Sequence, residues 1–136
     1  MRHEKEQVRR FYEVVWNAKR KEAIPDILHE LIQFRGSLGA EKNGHSEFIE
    51  YLDSVHSALK DYECIIKEIV CEPSKAFAKM QFTGIHQGEF MGFHPTGKRV
   101  TWDGVALFHF KDGKVSRLWA LGDLVSLKAQ LEANQT

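Results

Sequence analysis

Apolar residues recur at helical spacing through the first part of the chain. In residues 3–20 they repeat every three to four positions, which predicts an amphipathic helix: Val8, Phe11, Tyr12, Val15 and Trp16. A shorter helix is predicted next, because Pro25 suits a first helical turn and apolar residues follow it: Ile27, Leu28 and Leu31. Residues 32–38 are expected to be extended, and the helical spacing returns over residues 45–59, where a third helix is predicted.

The pattern changes to that of strands from Tyr62 onward. Four strands are predicted, separated by turn residues: 62–71, 76–87, 98–110 and 115–122. The last two are joined by Asp112-Gly113, a dipeptide typical of a tight hairpin turn. A final helix is predicted from Asp123 to about residue 133, because leucines recur there at helical spacing.

Helices followed by an antiparallel sheet predict a single α+β domain over residues 1–136, with the helices packed on one face of the sheet. The third of the four strands is apolar on both faces: Trp102, Ala106 and Phe108 share one face, and Val105 and Leu107 the other. A sheet of this kind needs a second cover. We therefore expect it to curve around an apolar pocket and to form a homodimer through its open face.

Composition narrows the possible partners. Lys plus Arg and Asp plus Glu each total 19, so the net charge is zero and no nucleic acid or anionic membrane is expected as a partner. The charged N-terminus lacks the apolar region of a secretory signal. Cys64 and Cys71, seven residues apart on one predicted strand, would face opposite sides, so a reduced, cytoplasmic protein is expected. The seven histidines show no metal-ligand spacing, and we expect no metal.

The hairpin and its helix contain a candidate acid/base pair. His109 and Asp123 are expected near the same end of the hairpin, close to apolar side chains, where such a pair can transfer protons without a metal. Each residue also has a structural interpretation. Asp123 is well suited to cap the last helix, and His109 could be an ordinary surface residue near a strand end.

Several segments resemble the SnoaL-like polyketide cyclases, also called ester cyclases. The run GIHQGEFMGFHPTGK over residues 84–98 resembles the family stretch G-T-H-x-G-x-F-x-G-x-P-P-T-G-K, with Ile85 in place of threonine and His94 in place of the first proline. DGKV at residues 112–115, followed by Trp119 and Asp123, resembles the family ending D-G-K-I…W-x-x-x-D. FRGSLG at residues 34–39 is similar to an early strand in one branch of the family.

The resemblance implies a fold, an activity and two catalytic positions. The fold is the cone-shaped α+β structure of the nuclear-transport-factor-two-like superfamily, in which a curved sheet and helices enclose a deep apolar pocket, usually in homodimers. The family's characterised cyclases close a ring by intramolecular aldol condensation without metal or cofactor. Their acid/base aspartate corresponds to Asp123, and a histidine fourteen residues earlier, used by some members, corresponds to His109.

Six further residues are candidates for substrate binding. Arg35 could anchor an oxygen of the substrate, although it could equally be a surface arginine, and His86 shares an apolar face with Met80 and Phe82. Trp16 and Trp119 are expected to line the pocket, and Phe90 and Phe93 to form a lip over its mouth. A core position is the alternative for these large apolar residues.

The predicted function is cofactor-free aldol cyclisation or isomerisation of a small hydrophobic carbonyl substrate. Asp123 would act as the general base and then as the acid, while His109 would donate a hydrogen bond to the developing enolate oxygen or tune Asp123. One alternative is a non-catalytic binding protein for a small hydrophobic molecule. Another is a hydrolase on the same scaffold, for which Asp123 and Arg35 would supply two members of a carboxylate–arginine–carboxylate cluster.

Overall fold

Six strands form one open, curved sheet, and four helices accompany it, in a computed structural model that describes residues 2–135. The helices are α1 Arg2–Arg10, which continues in π-helical form over Phe11–Asn17, α2 Ile24–Ile27 after a 3-10 turn at Lys21–Ala23, α3 Gly44–Ala58 and α4 Leu124–Asn134. The strands are β1 Leu28–Arg35, β2 Glu41–Asn43, β3 Leu59–Glu72, β4 Lys75–His86, β5 Arg99–Lys111 and β6 Lys114–Gly122. The predicted α+β class is confirmed.

The strand order across the sheet is β2-β1-β6-β5-β4-β3. Strands β3 to β6 form an antiparallel meander, and β1 pairs with β6 in parallel. The last strand in sequence, β6, therefore lies between β1 and β5 and joins the first two strands to the meander. Its residues at 118 and 120 are buried, whereas those at 119 and 121 are exposed, so the two faces of the sheet differ sharply.

The buried face, called here the inner face, carries a core rich in aromatic rings. Phe11, at the start of the π-helical segment, lies within 6.5 Å, ring centre to ring centre, of several others: Tyr12, Trp16, Phe34, Phe48 and Phe108. Burying each such ring contributes about 1.5–3 kcal/mol to the stability of the fold. These contacts join α1, α3, β1 and β5 into one core.

The second predicted helix ends earlier than expected. It stops at Ile27, and Leu28 already begins β1, whose first pair with β6 joins Leu28 to Val115. Leu31, predicted to lie on the apolar side of a helix, is instead 72% exposed on this strand. Pairing with β6 buries Leu28 and Ile32, which outweighs the local helical preference. The short strand β2 was not predicted, because its three polar residues show no apolar alternation.

The outer face of the sheet carries exposed apolar side chains. Four of them are 40–55% exposed: Val70, Phe77, Trp119 and Leu121. The sheet therefore carries apolar side chains on both faces, as the sequence predicted: a continuous core on the inner face and individual exposed residues on the outer face. None of the helices over residues 2–135 is long and apolar enough to cross a membrane.

Candidate functional site

A narrow cavity opens on the inner face, between the π-helical segment and the sheet. Aromatic side chains form most of its wall: Phe11, Tyr12, Trp16, Phe34, Tyr51, Tyr62, Phe82 and Trp102. Small and aliphatic residues complete it: Gly36, Ser37, Leu38, Val55, Leu118 and Ala120. The cavity and its open mouth enclose about 360 Å³ of empty space, but only about 20 Å³ of it can hold the centre of a water molecule.

The cavity is narrower than the deep apolar pocket that the resemblance implied. An accessible volume of 20 Å³ holds about one water molecule. The aromatic rings of the wall fill most of the space that a wider pocket would offer. In this conformation the cavity therefore holds a single oxygen-sized group, and the rest of a larger ligand would occupy its open mouth.

Three tyrosines in the wall remain protonated at neutral pH. Burial raises the pKa of Tyr12 and Tyr62 well above the ordinary value, and nearby Cys64 and Tyr51 raise both further. Burial also raises the pKa of Tyr51, against a smaller opposing effect from its hydrogen bond with the Leu38 backbone. These phenols are therefore hydrogen-bonding groups rather than bases at neutral pH.

Trp102, on β5, presents an unusual polar atom to this region. The residue is 2% exposed, and its Nε1 has no hydrogen-bond partner among residues 2–135. Gly122 lies against it: a Cβ placed on Gly122 would be 3.1 Å from Trp102 Nε1 and 2.7 Å from the carbonyl oxygen of Ser37. The absence of a side chain at Gly122 thus lets β6 approach Trp102 and Ser37, both of which line the cavity.

Asp123 follows Gly122 directly and caps α4. Its Oδ1 accepts a hydrogen bond of 3.0 Å from the Ser126 N–H, and its own N–H donates to the Asp103 carbonyl oxygen at 2.8 Å. The side chain is exposed and is not part of the cavity wall. Asp123 is therefore a helix cap, as one of the two sequence interpretations expected. It adjoins the place where Gly122, Ser37 and Trp102 come together, which is called here the rim of the cavity.

His109 lies at the other end of the hairpin, so its expected proximity to Asp123 is wrong. His109 pairs with Arg117 close to the turn, whereas Gly104 pairs with Gly122. Five residues of strand separate these two pairs, or roughly 17 Å at about 3.4 Å per residue. Partial burial lowers the pKa of His109, and the charges of Arg117 and Lys75 lower it further. The side chain borders an outer-face groove that also includes Leu31 and Phe110.

Arg35 and Trp119 are also on the outer face rather than in the cavity. They are register partners on β1 and β6, and the Arg35 guanidinium carbon lies 5.5 Å from the Trp119 ring centre. Arg35 also donates a hydrogen bond to the Ala120 carbonyl oxygen. Trp119 does not line the cavity as expected: Leu118 and Ala120 are the β6 residues that face it.

The remaining candidates divide into one wall residue and three supporting residues. Trp16 lines the cavity, as expected. His86 is fully buried, and its Nε2 donates to the Phe93 carbonyl oxygen at 3.2 Å. The Phe90 ring centre lies 6.2 Å from that of Trp102 and from that of His86. His86, Phe90 and Phe93 thus pack behind Trp102 and do not form a lip over the mouth.

Sequence reasoning missed Gly122, and among the three tryptophans it favoured Trp16 and Trp119 over Trp102 as pocket residues. The alternation on the third predicted strand had already assigned Trp102 to the same face as Ala106 and Phe108. Its free indole N–H has no signature in the sequence. Among residues 2–135 no three His, Cys, Asp or Glu side chains cluster closely enough to hold a metal ion.

Solved structures with the same fold cover almost the whole chain. TsrD from Streptomyces laurentii has a TM-score of 0.85 and 23% identity, with 96% of each chain covered. A proposed SnoaL-like polyketide cyclase from Jannaschia sp. CCS1 has a TM-score of 0.86 and 20% identity, covering 96% of this chain and 92% of that one. AclR from Streptomyces galilaeus, a proposed hydroxylase, has a TM-score of 0.75 and 28% identity, covering 88% and 75%.

These neighbours include proteins assigned to different chemistries, so the shared fold does not identify a reaction. Comparison of the sequence with curated proteins gave no match. Residues 6–131, however, match the sequence profile of the SnoaL-like polyketide cyclases, which is nearly the whole chain. The chain therefore belongs to the SnoaL-like polyketide cyclase family.

Proposed function

We propose that the protein is a cofactor-independent cyclase or isomerase that acts on a small, mostly apolar carbonyl compound bound at the inner cavity. Family membership supports the reaction class. The observation that carries the proposal is the position of Asp123, a carboxylate fixed next to Gly122 at the rim formed with Ser37 and Trp102. No carboxylate belongs to the cavity wall itself. Asp123 is the candidate base because it corresponds to the acid/base aspartate of the family and adjoins Gly122, whose Cβ position lies against the wall residues Ser37 and Trp102.

In this proposal Asp123 performs two proton transfers. Its Oδ1 holds the cap, and Oδ2 takes a proton from the carbon next to a substrate carbonyl, giving an enolate. The enolate carbon then bonds to a second carbonyl carbon of the same molecule, whose π electrons move to its oxygen. Asp123 returns the proton to that alkoxide, which completes the aldol. For isomerisation, the proton returns to a different carbon.

The aromatic wall would contribute by holding the substrate in a folded conformation. Bringing two ends of one molecule together in reacting geometry can supply up to roughly 7–11 kcal/mol of the barrier in ideal cases. Flat rings on the wall suit a planar, conjugated substrate, and the neutral tyrosines offer hydrogen bonds without adding charge. The His109 role predicted from sequence has no place in this arrangement, because His109 lies at the opposite end of the hairpin.

The decisive experiment removes the base and keeps the cap. Asparagine is as good a helix cap as aspartate, so Asp123→Asn should keep its melting temperature. Proton exchange at the α carbon of small aryl ketones in D₂O, followed by NMR, should fall by a factor of roughly 10²–10⁴. Asp103→Asn is the matched control, since this exposed carboxylate is on the neighbouring strand and should leave exchange unchanged. Full activity in Asp123→Asn would refute the assignment.

A second candidate function is ligand binding without turnover. The exposed, cap-engaged side chain of Asp123 and the narrow cavity favour it. It predicts that wild-type protein binds small aryl ketones but does not accelerate their exchange, and that Asp123→Asn binds them equally well. The hydrolase alternative is less favoured, because Arg35 stacks on Trp119 at the outer face instead of lining the cavity.

We also propose that the protein forms a homodimer through its outer face. Val70, Phe77, Trp119 and Leu121 leave apolar area in contact with water on the same side of the sheet. Contiguous apolar patches of this kind mark interaction surfaces. A second copy would present the same residues and would cover them symmetrically.

A further inference from the structure

We infer that the indole N–H of Trp102 is the group that binds the substrate's carbonyl oxygen. The inference deepens the proposed function and rests on it for its catalytic meaning, although the binding contact can be tested separately. Trp102, on β5, would thus donate to the substrate oxygen the hydrogen bond that the sequence predicted for His109. The ligand it selects is a small, flat molecule with an acceptor oxygen at its leading end.

The indole nitrogen of Trp102 is a buried donor without a partner. Trp102 is only 2% exposed, and its Nε1 has no hydrogen-bond partner among the residues that the structure describes. Buried donors without a partner are rare in folded proteins and call for an explanation. An indole N–H can only donate, so the missing partner has to be an acceptor such as a carbonyl oxygen.

Trp102 Nε1 lies close to the cavity but is buried in this conformation. Trp102 and Ser37 both line the cavity, and a Cβ on Gly122 would come within 3.1 Å of Nε1 and 2.7 Å of the Ser37 carbonyl oxygen. Because Nε1 is out of contact with solvent, a ligand oxygen reaches it only when Ser37 or the indole ring moves. The accessible space of the cavity holds about one water molecule, which matches the size of a carbonyl oxygen, and the rest of the ligand would occupy the mouth.

Aromatic packing holds the indole ring of Trp102 in place. Its neighbours pack on it with ring centres at 5.4 Å for Phe82, 6.2 Å for Phe90 and 6.4 Å for Tyr62. Phe90 is in turn backed by His86, whose Nε2 bonds to the loop at Phe93. A donor fixed by packing in this way needs little reorganisation when charge develops on an enolate oxygen.

Trp102 and Asp123 both adjoin Gly122: a Cβ on Gly122 would be 3.1 Å from Nε1, and Asp123 is the next residue in the chain. For one substrate to use both groups, its carbonyl oxygen would accept from Nε1 while its α carbon comes within reach of the Asp123 carboxylate. The rival explanation is structural, with a slight ring shift letting Nε1 donate to the Ser37 carbonyl oxygen, which also lies against Gly122.

The test uses two probes of nearly the same shape, acetophenone and α-methylstyrene. Acetophenone has a carbonyl oxygen where α-methylstyrene has a methylene group. Wild-type protein should bind acetophenone about tenfold more tightly, the value of one hydrogen bond of about 1.4 kcal/mol. Acetophenone should also shift the Trp102 indole resonance in ¹⁵N-labelled protein, and α-methylstyrene should not. In Trp102→Phe the preference for the carbonyl should fall to within about twofold while α-methylstyrene still binds.

Two further proteins keep the test decisive if Trp102→Phe does not fold. Replacement of Trp102 by β-(3-benzothienyl)alanine keeps the bicyclic ring and removes the N–H, so it should abolish the preference. Gly122→Ala keeps the indole but fills the space beside Nε1, and it should weaken acetophenone binding. Equal affinity for the two probes in wild type, no binding of acetophenone up to its solubility limit, or a preference that survives loss of the N–H would each overturn the inference.

Failure of this inference is distinguishable from failure of the proposed function. If Asp123→Asn abolishes α-proton exchange but the carbonyl preference does not depend on Trp102, the enzyme proposal stands and the Trp102 contact is refuted. If the preference depends on Trp102 but wild-type protein accelerates no exchange, the contact stands and the enzyme proposal is refuted.

Discussion

The two ends of the β5–β6 hairpin differ in almost every property that matters for chemistry. At the turn end, His109 lies on the outer face among the cations Arg117 and Lys75. At the far end, Trp102, Gly122 and Asp123 meet at the rim of the aromatic cavity of the inner face. Two residues separated by fourteen positions can thus be distant, while residues 102 and 123 come together. In a hairpin, two residues lie side by side when they are at about the same number of residues from the turn, whatever their separation along the sequence.

The largest expected contrast between the two ends is catalytic. Asp123→Asn should reduce the rate of α-proton exchange by a factor of roughly 10²–10⁴, because it removes a general base. His109→Gln, at the turn end, should leave both the rate and the affinity for aryl ketones unchanged. A comparable loss in the two variants would show that the turn end takes part in the site and that the two ends of the hairpin do not differ in this respect.

A second contrast uses one glycine from each end. Gly122→Ala should lower the free energy of unfolding by about 1–3 kcal/mol, since its Cβ would meet the Ser37 backbone, and should also weaken ketone binding. Gly113→Ala should cost about 1–2 kcal/mol through its positive φ of 78° but leave binding intact. Denaturant unfolding and a ketone titration measure the two effects. Unchanged binding in Gly122→Ala would argue against a site at this rim.

The outer face offers a third test, at the level of assembly. Leu121→Glu places a charge on the exposed apolar surface without touching the inner core, so it should convert the proposed dimer to monomer. Sedimentation equilibrium of the wild-type protein and the variant measures this directly. Glu63→Gln, an exposed β3 position outside that apolar group, is a control that should leave the assembly unchanged. A wild-type monomer at all concentrations would refute the dimer.

The smallest expected effect concerns pH and His109. Its pKa is lowered in the folded protein, so the unfolded chain binds a proton first as the pH falls through about 6.5. Stability should therefore decrease from that pH downward until the lower folded pKa is passed, and remain level below it. His109→Gln should flatten this part of the curve slightly, because the side chain is only partly buried and solvent screens it. A steeper decline in the variant would contradict this assignment.

The helices, the meander and the fold class were predictable because their signals are local. The helical spacing around Phe11 and the alternation around Trp102 both follow from which side chains must leave water. The extent of α2 was not predictable, since the change to strand at Leu28 depends on pairing with Val115, far away in sequence. Strand β2 owes its existence to β1 in the same way.

The candidate site was only half predicted, for a related reason. The turn at Asp112-Gly113 was correctly located, and counting outward from it pairs residue 123 with Trp102. A register shift between His109 and Phe110 moves this pairing by one residue, so Asp123 lies opposite Asp103. His109, which both the hairpin pattern and the resemblance paired with Asp123, lies near the turn instead. The face on which Arg35 and Trp119 lie, and the free N–H of Trp102, depend on the register of three strands, which residue types alone do not determine.

The central position of β6 also has a consequence for how the protein folds. Because the strand order is β2-β1-β6-β5-β4-β3, the first two strands join the meander only through a strand that ends at residue 122. The contacts of β1 with β6 therefore close a loop of more than eighty residues, a topology associated with slow, late steps in folding. Ser37 follows β1, and Trp102 and Gly122 belong to β5 and β6, so the rim is assembled at that step. Ligand binding should thus appear with the slowest refolding phase, after most of the meander has formed.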